Sequence, residues 1–154
     1  MDKSKIPVEQ RPALALLMDD HRAVKKLFKE FEAAKKASDK QAIAAETCQQ
    51  LSVHAQIEEE IFYPALRGAS DKVDDMLDEA EVEHDVAKSL IQKIKRGDPE
   101  MLDANYKVLT EYVGHHVEEE ESELFPAVIK AKIDLREVAA RLEARKMELL
   151  GEPA

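Results

Sequence analysis

The sequence has one cysteine, Cys48, and no tryptophan. A single thiol excludes an internal disulfide framework and a thiolate zinc site. Glycine (4) and proline (6) are scarce among 154 residues, so turns are few, and only 5% of the residues are aromatic. Long apolar runs are missing too. The longest near the start, Ala13 to Met18, is too short to span a bilayer, and its flanks do not read as a signal peptide. Basic residues are outnumbered, 23 Lys and Arg against 33 Asp and Glu, for a net charge of −10. That balance argues against nucleic acid or an anionic membrane as partner, since both are held by clusters of Lys and Arg. The expected location is the cytoplasm.

What is present favours helices. Hydrophobic residues reach 44%, too many for a disordered chain despite 36% charged residues, and Ala, Leu, Glu and Lys are abundant. The length suits one domain with a real core, 1–154. Ser38 to Gln41 and Asp134 to Glu137 read as capping boxes, and Ser70 or Asp71 as a cap after the turn at Gly68. Gly97 reads as a helix stop, followed by an Asp98 cap with Pro99 at the first helical position. Gly151-Glu152-Pro153 closes the last helix. These signals divide the chain into helices over about 12–37, 40–66, 71–96, 99–131 and 134–150, after a loose tail of residues 1–11. The first four carry an apolar stripe at three- and four-residue steps, such as Leu14, Leu17, His21, Val24, Phe28 and Phe31. The expected fold is all-α: an up-down-up-down four-helix bundle, core 12–131, with a short C-terminal fifth helix lying across it.

Ionisable residues interrupt those stripes: His21, His54, Glu58, His84, His116 and Glu120. Burying each unpaired costs several kcal/mol. Together they would exceed a typical domain's net stability of roughly 5–15 kcal/mol, so they satisfy one another or bind something. His54 and Glu58 are four residues apart, as are His116 and Glu120, and in a helix both members of such a pair can converge on one ion. Four imidazoles and two carboxylates suit iron, with manganese or zinc as alternatives, and do not suit calcium or magnesium.

The chain also repeats itself. HAQIEEEIFYPA (54–65) aligns with HVEEEESELFPA (116–127), and HRAVKKLFKEF (21–31) with HDVAKSLIQKI (84–94). The bundle is therefore expected to be a duplicated helical hairpin with a pseudo-two-fold site for a metal pair. If Glu58 and Glu120 bridge, each ion has two imidazole nitrogens and two carboxylate oxygens. A bridging oxo or hydroxo group makes five, and an octahedral ion keeps one position for a small molecule.

The pattern of His21, His54-x-x-x-Glu58 with Pro64, His84, and His116-x-x-x-Glu120 with Pro126 resembles the hemerythrin-like (HHE cation-binding) domain family over about residues 14–131. The resemblance implies a non-haem centre of two iron ions in a four-helix bundle, with O₂, peroxide or nitric oxide chemistry, or iron sensing. The oxygen carriers of that family use a fifth histidine four residues from the one on the third helix; here those positions hold Ala80 and Lys88. Their fourth-helix pair has five-residue spacing, which His115 to Glu120 would match. His116 aligns with His54 in the repeat and lies on the stripe, so it is preferred, with His115 in reserve.

Other residues have weaker readings. Glu59, Glu60, Glu118, Glu119, Glu121 and Glu123 are expected on a solvated face, with Glu59 and Glu121 the best placed to hydrogen-bond a ligand. Tyr112 reads as a stripe-edge residue that could donate a hydrogen bond, Cys48 as a small core residue, and Gly114 as undecided between close packing and a local bulge. Glu81-x-x-His84 is half of a ferritin-type motif without its second copy.

Three functions compete. The first is a di-iron protein that binds O₂ or a related small oxidant or diatomic for sensing, storage or delivery. The second is an enzyme that decomposes hydrogen peroxide or reduces nitric oxide. The third is a bundle in which metal serves folding alone. The expected partner is a small diatomic or peroxide ligand. The sequence leaves the oligomeric state open.

Overall fold

The computed structural model describes residues 1–151. Its helices are α1 (Arg11–Ala33), α2 (Ala37–Ile57), α3 (Tyr63–Leu66), α4 (Asp71–Lys95), α5 (Leu102–Glu119), α6 (Phe125–Lys130) and α7 (Arg136–Leu150). A π-helical turn, Glu58–Phe62, joins α2 to α3, and another, Glu120–Leu124, joins α5 to α6. Four rods result. Rod α1 packs on α2, α4 on α5, α2 on α4 and α1 on α5, and the short links between successive rods make them antiparallel. Helix α7 packs on α1, α2 and the first π turn, covering one side, with Leu135 and Leu142 fully buried.

The two long rods expected as unbroken α-helix over 40–66 and 99–131 are thus interrupted, and proline supplies the reason. Pro64 and Pro126 have no N–H to donate, and their rings crowd the carbonyl four residues back. The ladder widens just before each. The Tyr63 N–H bonds the Glu58 carbonyl and the Phe125 N–H bonds the Glu120 carbonyl, each five residues back. The two wide turns lie 62 residues apart, as the repeat requires.

Helix ends differ from expectation in detail. Ser70 caps α4 through its hydroxyl, which accepts from the Val73 N–H at 3.1 Å, and Gly97 leaves α4 at φ +76°. Ser38 does not cap α2. The three residues after Ala33 already reverse the chain, so α2 starts at Ala37 and Ser38 falls inside its first turn. Asp98 accepts from the Glu100 N–H at 3.1 Å, which spends Asp98-Pro99 on a turn and delays α5 to Leu102. Asp134 likewise accepts from the Arg136 N–H and pairs with the Arg136 guanidinium, leaving Leu135 at the helix boundary. Glu152 and Pro153 lie outside the described residues.

Residues 1–11 are not a loose tail. Ile6 is 1% exposed, Gln10 donates to the Ile133 carbonyl at 2.6 Å, and the Leu135 N–H bonds the Glu9 carbonyl at 3.0 Å. One buried isoleucine and two polar ties hold the segment against the link before α7.

The core comes in two parts. One gathers Leu14, Leu17, Phe62, Leu77, Phe125 and Leu142; the other gathers Val24, Phe31, Leu51, Ile91, Tyr106 and Leu109. Between them lies a layer of buried ionisable side chains.

Candidate metal centre

All four rods contribute to that layer. His21 comes from α1, His54 from the last turn of α2, His84 from the middle of α4 and His116 from the last turn of α5. Glu58 and Glu120 each open a π turn. Glu58 is 0% and Glu120 2% exposed, and the imidazoles are buried or nearly so. The structure brings all six sequence-predicted residues together. Ligand atoms of His21, His54, Glu58 and Glu120 lie within 4.8 Å of one another, as do those of Glu58, His84 and His116. His54 Nε2 and His84 Nε2 each stand 3.3 Å from Glu58 Oε1. On the other carboxylate, His21 Nε2 is 3.2 Å from Oε1 and His116 Nε2 is 3.3 Å from Oε2 of Glu120.

Each imidazole is fixed from behind. Nδ1 of His21 meets Glu121 at 2.7 Å, that of His54 meets Asp20 at 2.9 Å, that of His84 meets Glu59 at 2.9 Å, and that of His116 meets Glu83 at 2.6 Å. A carboxylate accepts, so Nδ1 carries the hydrogen, and in the neutral ring Nε2 keeps its lone pair pointing inward. There it faces carboxylate oxygens, which are acceptors as well. Nε2 of His21, His54 and His116, Oε2 of Glu58 and Oε1 of Glu120 are buried without any hydrogen-bond partner. Such atoms cost roughly 1–3 kcal/mol each. Lone pairs from four imidazoles and two carboxylates, aimed at a common space, need a cation or protons between them.

In the metal-free protein that need is met by protons. Burial opposes charging of His116, but Glu120, then Glu58 and Glu83, outweigh it and raise its pKa to about 10. His21, His54 and His84 are also raised, again against burial, by their carboxylate partners. Glu120 is held well below the ordinary carboxylate value, because His116 and His21 more than offset its burial.

Sequence reasoning missed three of the centre's residues. Asp20 and Glu83 are the carboxylates behind His54 and His116. Their signal was available: each directly precedes the first histidine of its repeat half, and both are acidic. The third is Tyr63, whose hydroxyl donates to Glu120 Oε2 at 2.7 Å, with Glu58 Oε1 at 3.1 Å and His84 Nε2 at 3.4 Å. Burial and the two carboxylates push its pKa well above 10, so the hydroxyl keeps its hydrogen. Its repeat counterpart is Phe125, which stacks on His21 at 6.2 Å. The two halves of the cage therefore differ by one hydroxyl.

The remaining candidates fall as follows. His115 is exposed and pairs with Glu119 at 2.8 Å, away from the cage, so His116 fills the position. Glu59 and Glu121 do hold imidazoles. Tyr112 lines a cavity of about 50 Å³ whose walls include all four histidines with Val24 and Ala87; Tyr63, not Tyr112, supplies the hydroxyl. Cys48 is a buried core residue, and burial raises its thiol pKa. A Cβ on Gly114 would meet nothing within 4 Å and α5 runs through it as regular α-helix, so neither close packing nor a bulge explains that glycine. Glu81 is exposed and Glu83 takes the inward place on α4.

The donor set fits a pair of transition-metal ions: inward nitrogens and oxygens in two overlapping groups, each imidazole oriented by an outer carboxylate. Comparison with known families matches residues 13–128 to the hemerythrin HHE cation-binding domain. No curated protein and no solved structure gives a significant match.

Proposed function

This chain belongs to the hemerythrin HHE cation-binding domain family, and on that premise we propose that it holds two non-haem iron ions and binds O₂ or a related small oxidant or diatomic for sensing, storage or delivery. The ligands in this reading are His21, His54, Glu58, His84, His116 and Glu120. The observation that carries it is the inward set of five unpartnered buried atoms, three of them on imidazoles pinned at Nδ1. Iron bound there supplies a redox couple and an open coordination position.

The chain's own residues do the rest. Asp20, Glu59, Glu83 and Glu121 keep each Nε2 unprotonated and aimed inward once metal replaces the protons. Tyr63 offers one O–H to whatever oxygen sits between Glu58 and Glu120. The cavity beside the histidines measures about 50 Å³. Since one water-sized probe needs roughly 10–15 Å³, a diatomic or a peroxide fits and a large organic substrate does not. The test is an optical spectrum of the reduced, iron-loaded protein before and after oxygen. A band that forms with oxygen and disappears on its removal supports binding for carriage, whereas immediate oxidation without a reversible band counts against it.

Tyr63 favours a second reading. An O–H inside the cage suits peroxide dismutation, 2 H₂O₂ → 2 H₂O + O₂, in which one peroxide is oxidised, the other reduced, and protons must be delivered to a leaving oxygen. Rapid gas evolution that is lost in His54→Ala, and slowed by about 10²-fold or more in Tyr63→Phe at unchanged metal content, supports it. Equal rates in Tyr63→Phe and the parent remove the hydroxyl from the reaction.

A further inference from the structure

The cage has two faces related by the repeat, and they are finished differently. On one, the Asp20 carboxylate behind His54 is taken by Lys146 of α7 at 2.5 Å, and α7 covers that side. On the other, Glu83 behind His116 is mostly buried between α4 and α5 and meets no lysine from α7. There the ligand atoms of Glu83, His115 and Glu119 lie within 4.8 Å of one another, with His115 Nε2 2.8 Å from Glu119 Oε1. The repeat counterparts of His115 and Glu119 are Val53 and Ile57, so the first face has no such group. The extra donors occur only where no helix blocks the way.

Behind them runs a cleft. Glu79 and Glu123 line its sides, and His116 and Glu120 form its inner wall. Glu120 is 2% exposed, and its Oε1 is one of the unpartnered atoms. The cleft thus leads from Glu83 and Glu119 of the outer trio to the buried carboxylate of Glu120 in the cage. Glu83 touches both ends, because its Oε1 holds His116 Nδ1 at 2.6 Å.

We propose that Glu83, His115 and Glu119 form a second, solvent-facing site for a divalent transition-metal ion, and that this site passes ions along the Glu79–Glu123 cleft into the buried cage. The inference rests on the reading of the inner six residues as a metal centre. One imidazole and two carboxylates make a low-affinity site open to water, as a transit position needs. An ion held there by Glu83 is already beside His116, and Glu120 offers it a better-dried partner. The final occupancy of the cage does not depend on His115 or Glu119; the rate of filling does.

The experiment is anaerobic stopped-flow uptake of Fe(II) by the metal-free protein, followed by metal analysis at the end point. The variants are His115→Ala and Glu119→Gln, both altering side chains at the surface. Glu118→Gln, an exposed acid outside the trio, is the charge control. The expected result is uptake slowed by about tenfold or more in His115→Ala and Glu119→Gln, with end-point occupancy equal to the parent and Glu118→Gln indistinguishable from it. Unchanged rates in His115→Ala and Glu119→Gln overturn the proposal, as does equal slowing in Glu118→Gln, which would reduce it to general attraction of cations. Lowered end-point occupancy in His115→Ala also overturns it, by placing His115 in the cage. A parent that takes up no iron ends both this proposal and the proposed function. Full occupancy with equal rates ends only this one.

Discussion

At the scale of single residues, the centre works through what stands behind each ligand as much as through the ligand. Asp20 fixes His54, and Lys146 fixes Asp20. Asp20→Asn keeps the volume but loses the charge and lets the imidazole choose its tautomer, so metal affinity is expected to fall by about 10–100-fold, measured by competition with a chelator. A change under twofold would mean that the orientation of His54 is set by packing alone. The six inward residues were legible because each breaks an apolar stripe at a position its repeat partner also breaks. Glu59 and Glu121 were legible as neighbours of ligands. Asp20 and Glu83 were not singled out, because an acidic residue on a chain with 33 of them carries no signal by itself.

At the scale of elements, Tyr63 was invisible for a different reason. A 3.6-residue period turns residue 63 away from residue 58, and only the wide turn restores it to the same face. The five-residue bond from the Tyr63 N–H to the Glu58 carbonyl does this. Pro64 and Pro126 were read as repeat markers, although they also widen the ladder. The fifth helix was legible as amphipathic, but not its task. It seals one face of the cage and brings Lys146 to Asp20, a contact across 126 residues that no local pattern predicts. Leu142 anchors it at 0% exposure, and Leu142→Ala is expected to cost about 2–5 kcal/mol in denaturant unfolding of the metal-free protein. A loss below about 1 kcal/mol would show that α7 is not part of the cooperative core.

At the scale of the whole molecule, duplication gives the cage its symmetry, and small asymmetries give it direction: a hydroxyl on one half, a covering helix on one face. Among the described residues no helix is long and apolar enough to cross a membrane. The net charge of −10 is concentrated in part where it serves the site, since Glu58 and Glu120 face inward and Glu59, Glu83 and Glu121 hold imidazoles. Four imidazolium charges equal those of two divalent ions, so loading exchanges one set for the other and releases about four protons when the histidines start charged.

The pH dependence follows with its sign. The histidine pKa values are raised in the folded metal-free protein, so their contribution is full below the ordinary value of 6.5. It fades as pH rises through the folded values, about 10 for His116. The pKa of Glu120 is depressed, so its contribution is present above 4.5 and is lost as pH falls through the folded value. Metal-free protein should therefore lose stability from pH 6.5 upward, while metal affinity rises over the same range. Thermal melts of both forms at several pH values check this, and parallel slopes in the two forms would contradict it.

Iron content per chain decides most. After expression in iron-replete medium, the protein is expected to carry about two irons per chain, and Glu58→Ala with Glu120→Ala together is expected to carry almost none. No iron in the parent, or two irons retained in the double variant, would contradict the assignment of this layer as a metal centre.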